Sequence, residues 1–199
     1  MLGSMVEDAV TVSVSMLRNR DLDGSRRIVE RDAIINAKRF EIEEATLTLI
    51  ALQQPVARDL RLLGAILEVV TELERIGDYA KGISKINLLI GDQPLLKPLI
   101  DVPLMCEKAM SMLRGGLNAF VAQDVDAAKA IPPLDDEVDQ LYDQVYRELM
   151  SYIIEDPSCI QQANRLLWAA HNLERAADRV TNICERTVYT VTGEMAELN

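Results

Sequence analysis

Three carboxylate side chains share one narrow stripe of a predicted helix in the last part of the chain. The sequence there reads N-L-E-R-A-A-D-R-V-T-N-I-C-E from Asn172 onward. Because a helix turns by about 100° per residue, Glu174, Asp178 and Glu185 lie within about 40° of one another, and Asn182 lies just outside. Oxygen ligands of this kind are those that hard metal cations prefer. These residue types at this spacing therefore indicate a cation site.

The carboxylate stripe has no basic residue on its own face. Toward the start of the helix it continues through Ala170 and Leu167, which predicts that this face points into the protein. Ionised carboxylates are costly in such a position unless something neutralises them. Arg175 and Arg179 lie about 100° to 140° around the helix from Glu174. A bound cation is therefore the expected partner of the acids.

Polar pairs with a spacing of four residues recur along the chain. They are Asp32 with Asn36, Glu74 with Asp78, Asp135 with Asp139, and Glu174 with Asp178. Antiparallel neighbouring helices of a bundle can turn two such pairs toward each other, which would gather about four oxygen donors. Surface acids at this spacing are also common, so spacing alone leaves a solvated acidic face as the alternative. The candidate metal ligands are Asp135, Asp139, Glu174, Asp178, Asn182, Glu185, Asp32, Asn36, Glu74 and Asp78.

An internal repeat relates these pairs to one another. Shifting the sequence by 103 residues lays Asp32 on Asp135. Further along the shift becomes 100 residues, which lays Leu-Glu-Arg at 73–75 on Leu-Glu-Arg at 173–175. Self-similarity of this kind is the signature of a duplicated structural unit. The chain is therefore expected to contain two homologous halves.

The repeat and the long apolar-periodic segments predict an all-α protein made of two tandem three-helix bundles. The six predicted helices run over about 2–19, 23–53, 55–90, 104–122, 125–155 and 158–191. The first bundle would then cover residues 1–91 and the second residues 104–194, with the proline-rich segment 92–103 as their connection. The double proline at 132–133 interrupts the fifth helix, which should kink or restart near Leu134 because proline removes a backbone hydrogen bond.

The two halves are not equally suited to a metal. Lys85 stands where the second half has Glu185, and Asn36 stands where it has Asp139. Lys81 also follows the acidic pair of the third helix by about one turn. Ammonium groups could therefore neutralise the acids of the first half without a metal. The second half is the stronger candidate.

No recognisable catalytic apparatus occurs in the sequence. Ferritin-like di-iron sites use Glu-x-x-His on two helices, whereas the chain has the reverse order once, at His171 and Glu174. We therefore expect His171 to be hydrogen-bonded or exposed rather than a ligand. A nucleophile with a positioned base, a phosphate-binding glycine loop and a nucleotide motif are all missing. The sequence predicts a protein that is not an enzyme, with a carboxylate–metal hydrolase or oxidase and a purely structural acidic bundle as the alternatives.

Composition limits the classes of partner. The formal net charge of −11, from 21 basic and 32 acidic residues, repels nucleic acid and anionic membrane surfaces. The three cysteines are widely spaced and odd in number, which indicates buried thiols in a reducing compartment. The N-terminus has no basic segment followed by an apolar core, and no uncharged run approaches the roughly 18 residues of a membrane span. We expect a cytoplasmic protein that does not insert into the membrane.

Four segments together resemble the PhoU family, the regulatory proteins that accompany bacterial phosphate transporters. They are P-V-A-R-D-L-R at 55–61, E-L-E-R-I-G-D at 72–78, M-S-Y-I-I-E-D at 150–156 and N-L-E-R-A-A-D-R-V-T-N-I-C-E at 172–185. The likeness covers essentially the whole chain, with both repeats in order. The chain looks shortened at its N-terminus relative to the family, and Ala176 and Ala177 replace the Ile-Gly of the first motif.

The resemblance implies two three-helix bundles side by side, with E(D)xxxD motifs that hold cations, so that Fe, Zn, Mn or Mg is the expected cofactor. It also implies negative regulation of phosphate uptake. The protein would restrain the phosphate ABC transporter through its ATPase subunit and convey the transporter's state to a phosphate sensor histidine kinase, so that phosphate-starvation genes stay off when phosphate is plentiful. A homodimer is one arrangement that the resemblance allows, and the sequence leaves the oligomeric state open.

Overall fold

The computed structural model describes residues 1–198, which form α-helices joined by short turns. The α-helices are α1 (Leu2–Asn19), α2 (Leu22–Gln53), α3 (Ala57–Ile90), α4 (Asp101–Ala122), α5 (Val125–Lys129), α6 (Asp135–Glu155) and α7 (Ile160–Thr192). Short 3-10 turns at Pro132–Leu134 and Pro157–Cys159 precede α6 and α7. No strand occurs between residues 1 and 198. The all-α prediction is confirmed.

The helices pack as two three-helix bundles. Helices α1, α2 and α3 form the first, while α4, α6 and α7, with the short α5, form the second. Helix α4 begins at Asp101, somewhat before the predicted start, because Pro103 lies in its first turn, where the backbone N–H is not needed. Helices α3 and α7 begin slightly later than predicted, at Ala57 and Ile160.

The same capped turn follows the first helix of each half. Arg20 takes a left-handed φ of 58°, and the side chain of Asp21 accepts a hydrogen bond of 2.7 Å from the backbone N–H at position 24. In the second half Gln123 has a φ of 54°, and Asp124 accepts a hydrogen bond of 3.0 Å from the N–H at position 127. The duplicated sequence therefore reproduces the helix cap as well as the helices.

The predicted interruption of the fifth helix is confirmed. Helix α5 ends at Lys129, and the 3-10 turn at Pro132–Leu134 separates it from α6. The prolines cannot continue α5, since they lack an N–H and clash with the preceding turn. Helix α6 then opens with Asp135, Asp136 and Glu137, where the helix dipole favours negative charge. This restart determines where Asp135 lies in relation to α7.

Apolar side chains at helical spacing form one core that runs through both bundles. The inward face of α1 consists of Leu2, Val6, Val10, Val14 and Leu17. The equivalent residues Leu73 and Leu173 are buried in α3 and α7, as are Ile83 and Ile183. Matching positions of the repeat therefore serve matching roles in the core.

Long apolar helices are what a membrane-spanning chain requires. None of the helices between residues 1 and 198 combines enough length and apolar character to cross a bilayer.

Helices α3 and α7 lie side by side in antiparallel directions and form the seam between the bundles. Arg179 Nε donates to the hydroxyl of Tyr79 at 3.3 Å, and Asn182 Nδ2 donates to Glu72 Oε2 at 3.2 Å. Tyr79 and Arg179 occupy equivalent positions of the two repeats. Their contact therefore lies near the approximate two-fold axis that relates the halves.

Candidate functional site

Helices α6 and α7 bring four acids of the second half to one place. Asp135 and Asp139 lie in the first two turns of α6, and Glu174 and Asp178 lie in the middle of α7. The carboxyl of Asp135 lies within electrostatic range of the other three, and that of Asp139 within range of Asp178. We call these four residues the second-half cluster. The structure thus brings together the four acids that the repeat pointed to.

Burial and mutual repulsion raise the pKa values of three acids of the second-half cluster, Asp135, Asp139 and Glu174. Burial first, and then the nearness of the other three carboxylates, raises the pKa of Asp135 from 3.8 to about 7. The pKa values of Asp139 and Glu174 are also raised, in each case chiefly by burial and next by the nearby carboxylate of Asp178. At neutral pH the negative charge of the cluster therefore costs folding free energy unless a cation offsets it.

The second-half cluster also holds polar atoms without partners. Asp135 Oδ1 and Glu174 Oε2 are buried and accept no hydrogen bond in the described part of the chain. Over residues 1–198, no Lys or Arg forms an ion pair with any of the four acids, and the one basic group within 4 Å is His171. A buried oxygen left in this state costs free energy that a ligand with positive charge would recover.

His171 lies at the edge of the cluster, between two aromatic rings. Its Nδ1 is 3.0 Å from Glu174 Oε2, although the pair lacks the geometry of a hydrogen bond. The centroid of its ring is 6.0 Å from that of Tyr142 and 5.8 Å from that of Trp168. The side chain is 36% exposed, as the sequence suggested. That His171 is not a ligand stays a prediction.

Asn182 and Glu185, the other two candidates of the second half, are engaged elsewhere. Asn182 donates to Glu72 of α3, and Glu185 Oε1 accepts a hydrogen bond of 3.1 Å from the backbone N–H of Leu198. Asn182 faces the seam, and Glu185 lies about two turns beyond Asp178 along α7. The structure therefore does not gather these two residues with the second-half cluster.

The first half offsets much of its acidic charge with its own side chains. Lys81 Nζ lies 2.6 Å from Asp32 Oδ2 and 3.8 Å from Asp78 Oδ1. Arg39 lies 3.6 Å from Glu74 and 3.4 Å from Glu43, and it offsets only part of the effect of burial and of Asp78, which raise the pKa of Glu74. Each of the three acids thus has a cationic neighbour, which a metal ion would have to displace.

The sequence also predicts Asn36 as a candidate ligand of the first half and Lys85 as a residue that could neutralise its acids. Asn36 Nδ2 donates to Asp32 Oδ2 at 3.2 Å, so it acts as a donor where the second half has an acid. The hydrogen bond from Lys81 to Asp32 is the main cause that raises the pKa of Lys81, which keeps the ammonium charged. Lys85, which we expected to help neutralise the acids, is exposed and pairs with none of them within the described range. Arg39 takes that role instead.

The contribution of Arg39 was missed in the sequence, although a signal was present. Arg39 follows Asn36 by about one turn and so lies on the same face of α2. The repeat places Tyr142 at the equivalent position of the second half, and Thr181 at the position equivalent to Lys81. Extending the comparison of the halves to these two positions would have shown that both cations of the first half are lost in the second.

The second-half cluster is a set of donors rather than a finished coordination shell. Over residues 1–198, no three His, Cys, Asp or Glu side chains are gathered closely enough to hold a metal ion as they stand. The carboxylates of the second half nevertheless fit a hard cation by chemistry, because they are oxygen donors without a Lys or Arg partner in the described residues. Asp135 and Glu174 are half-buried, whereas Asp139 and Asp178 are exposed, so the predicted inward face is buried only in part. The first half does not fit, because Lys81 and Arg39 already supply the positive charge.

Removing one charge from the second-half cluster should stabilise the metal-free protein at high pH. The raised pKa of Asp135 means that the folded protein binds this proton more tightly than the unfolded chain, so stability is lost as the pH rises from 3.8 to about 7. We expect Asp135→Asn to raise the free energy of unfolding by about 1 to 2 kcal/mol at pH 8 in chelator, after allowance for solvent screening. At pH 4 the change should be small. Urea unfolding at the two pH values measures the difference.

Asp136→Asn is the matched control, because Asp136 is the exposed neighbour of Asp135 in the same helical turn. It should change the free energy of unfolding by less than about 0.5 kcal/mol at either pH. If the Asp135→Asn variant is no more stable than the wild type at pH 8, the claim that the charge of Asp135 is uncompensated in the metal-free protein is wrong.

The chain matches the model of the PhoU domain twice, at residues 1–86 and 102–187. The two matches coincide with the two bundles. A protein of Clostridium acetobutylicum, named phosphate-specific transport system accessory protein PhoU homolog, is 36% identical over 199 residues, covering 100% of this chain and 91% of that protein.

Two crystal structures share the fold. PhoU from Pseudomonas aeruginosa matches with a TM-score of 0.90 and 32% identity, over 97% of this chain and 93% of the other. The phosphate transport system regulatory protein PhoU from Streptococcus pneumoniae matches with a TM-score of 0.90 and 31% identity, over 98% of this chain and 92% of the other. The domain model, the related sequence and the two crystal structures each match nearly the whole length of this chain. The chain therefore belongs to the PhoU family.

Proposed function

We propose that this protein is an accessory, negative regulator of phosphate uptake and of phosphate-starvation signalling. The observation that carries the proposal is the match of both repeats to the PhoU domain. Relatives from Clostridium acetobutylicum and Escherichia coli are named for the phosphate-specific transport system, and a structural relative is named a regulatory protein. Regulation of a transporter, rather than transport itself, is the role that these names support.

Membership of a regulatory family confirms the prediction that the chain is not an enzyme. The alternative of a carboxylate–metal hydrolase or oxidase would need a base positioned beside an open coordination site. His171 is the one histidine of the chain, and it lies between Tyr142 and Trp168. Its Nδ1 also lies 3.0 Å from Glu174 of the cluster, so family membership, and not the placement of His171, decides against the enzymatic alternative.

In the proposed role the protein is an adaptor. It binds the ATPase subunit of the phosphate ABC transporter and the phosphate sensor histidine kinase, and it does so in the cytoplasm without inserting into the membrane. The net charge of −11 argues against nucleic acid as a partner. The homodimer and the domain bounds 1–91 and 104–194 stay predictions.

We also propose that the second-half cluster binds a divalent or trivalent cation, with Fe, Zn, Mn and Mg as the candidates. The ligands would be Asp135, Asp139, Glu174 and Asp178. The unpartnered oxygens of Asp135 and Glu174 support this assignment. A cation in this place would favour the ionised carboxylates and so stabilise the second bundle. The first-half residues Asp32, Asn36, Glu74 and Asp78 would stay metal-poor, because Lys81 and Arg39 already lie beside their acids.

Equivalent substitutions in the two halves should have unequal effects on metal content. Glu174→Gln should lower the affinity of the protein for Mn or Zn by about tenfold or more, since it removes one of four acidic ligands. Glu74→Gln should leave the metal content close to that of the wild type, because Glu74 already pairs with Arg39. Elemental analysis of the purified proteins and calorimetric titration measure both quantities. Equal losses in the two variants would contradict the ranking of the halves.

The adaptor role predicts stable capture of two specific partners. A tagged full-length chain, purified from cells grown in high phosphate, should retain the transporter ATPase subunit and the sensor kinase above the level of an untagged control. Mass spectrometry of the retained proteins identifies them. Retention of neither protein would contradict the proposed function and would favour a purely structural bundle.

A further inference from the structure

Helices α6 and α7 present an aromatic patch, which we define as Tyr142, Tyr146, Trp168 and His171. The His171 ring meets the Trp168 ring edge-on, at an interplanar angle of 79°, and also contacts Tyr142. Tyr146 lies about one turn beyond Tyr142 in α6. Trp168 is 56% exposed and Tyr146 is 45% exposed. The rings of the patch thus pack against one another through His171, and those of Trp168 and Tyr146 are largely exposed to solvent.

The patch concentrates residue types that are scarce in the chain. The sequence has one Trp and five Tyr among 199 residues, and three of these six lie in the patch. Exposed Trp and Tyr side chains mark interaction surfaces, because they bury a large area at low entropic cost and dominate the binding free energy of protein interfaces. The exposure of Trp168 therefore points to a partner that covers it.

The aromatic patch has an acidic border. Glu174 and the exposed Asp143 lie close enough to Tyr142 to raise the pKa of its phenol, after the larger effect of burial. Asp139 and Asp136 are exposed on the same helix, one and two turns before Asp143 respectively. Over residues 1–198, none of these acids forms an ion pair with Lys or Arg.

The basic residues nearest in sequence are directed away from these acids. Arg165, one turn before Trp168, donates to the backbone carbonyl of Leu89 at 2.8 Å. The guanidinium of Arg175 lies 5.2 Å from the centre of the Tyr79 ring in α3, on the seam side of α7. Arg147 follows Tyr146 in α6 and so lies about 100° around that helix from it. In the metal-free protein the border of the patch therefore keeps a negative potential toward solvent, and the exposed Asp143, which is not a proposed metal ligand, keeps its charge in either case.

We propose that the aromatic patch and its acidic border bind a segment of a protein partner that carries arginine and lysine side chains. Guanidinium and ammonium groups are attracted to the faces of Trp and Tyr rings, and at the same time pair with carboxylates. A second copy docked two-fold through the same patch is a poor occupant, because it would bring an identical acidic border against this one. An acidic partner is repelled in the same way. Charge complementarity thus selects a basic segment.

Other exposed apolar residues do not share these properties. Leu52 and Val56, near the turn between α2 and α3, are 73% and 75% exposed. They are aliphatic, so they offer no face to a cation. They serve as a control surface for the experiment.

This inference rests on the proposed adaptor role, since it assigns one surface and one partner chemistry to it. The test uses the full chain in chelator, titrated calorimetrically with a short helical peptide that displays arginines on one face, and with a matched peptide in which glutamates replace the arginines. Trp168 is the sole tryptophan, so its fluorescence reports the same binding directly. The wild type should bind the basic peptide and ignore the acidic one, and added salt should weaken the binding.

The variants locate the binding site. Trp168→Ala should weaken binding of the basic peptide by about tenfold or more, and Asp143→Asn should weaken it severalfold. Leu52→Ala should leave it unchanged. Circular dichroism of each variant establishes that the helices are intact.

Three results of the titrations would overturn the inference: no binding of the basic peptide, equal binding of both peptides, or a folded Trp168→Ala variant that binds as the wild type does. Sedimentation that shows a dimer dependent on Trp168 would also overturn it, in favour of a second copy. Capture of partners from cells separates the two proposals. If the wild type and Trp168→Ala retain the transporter ATPase and the kinase equally, the patch inference fails and the adaptor role stands. If the wild type retains neither, the adaptor role itself fails.

Discussion

Carboxylates gathered between two neighbouring helices repel one another unless a positive charge lies beside them, and the two halves of this chain differ in whether their own side chains supply it. In the first half, Lys81 and Arg39 supply it from within the bundle. In the second half, Thr181 and Tyr142 occupy the equivalent positions, and the pKa of Asp135 is raised to about 7 by burial and by its acidic neighbours. The same duplicated frame thus holds one site whose acids have cationic side chains beside them and one site whose acids have no Lys or Arg beside them among the described residues.

The position of the second-half cluster in the fold connects it to two other features. Helix α7 contributes Glu174 and Asp178 to the cluster, and it also forms the seam with α3 through Arg179. On its other side, His171 links Glu174 to the exposed ring of Trp168. Charge, seam and aromatic patch therefore share one helix. The second-half cluster therefore directly adjoins the aromatic patch, which is a surface suited to a partner.

Much of this arrangement could be predicted from the sequence, because it depends on local patterns. The duplication, the helical class and the restart at Asp135 follow from periodicity and from the chemistry of proline. The partners of individual side chains could not be predicted, because they depend on how helices distant in sequence are rotated against one another. Asn182 donates to Glu72 across the seam rather than joining the acids of its own stripe. The role of Arg39 was visible only in the comparison of the two halves.

The most direct test of this account introduces into the second half the lysine side chain that the first half has at the equivalent position. Thr181→Lys places an ammonium group where the first half has Lys81, and Thr181→Met is a control of similar length without charge. Equilibrium dialysis against Mn or Zn, with circular dichroism to verify folding, measures the metal bound by each variant. The account predicts that Thr181→Lys loses at least about nine-tenths of the affinity, whereas Thr181→Met retains most of it. Equal metal binding by the wild type and a folded Thr181→Lys variant would contradict the claim that unneutralised charge defines the site.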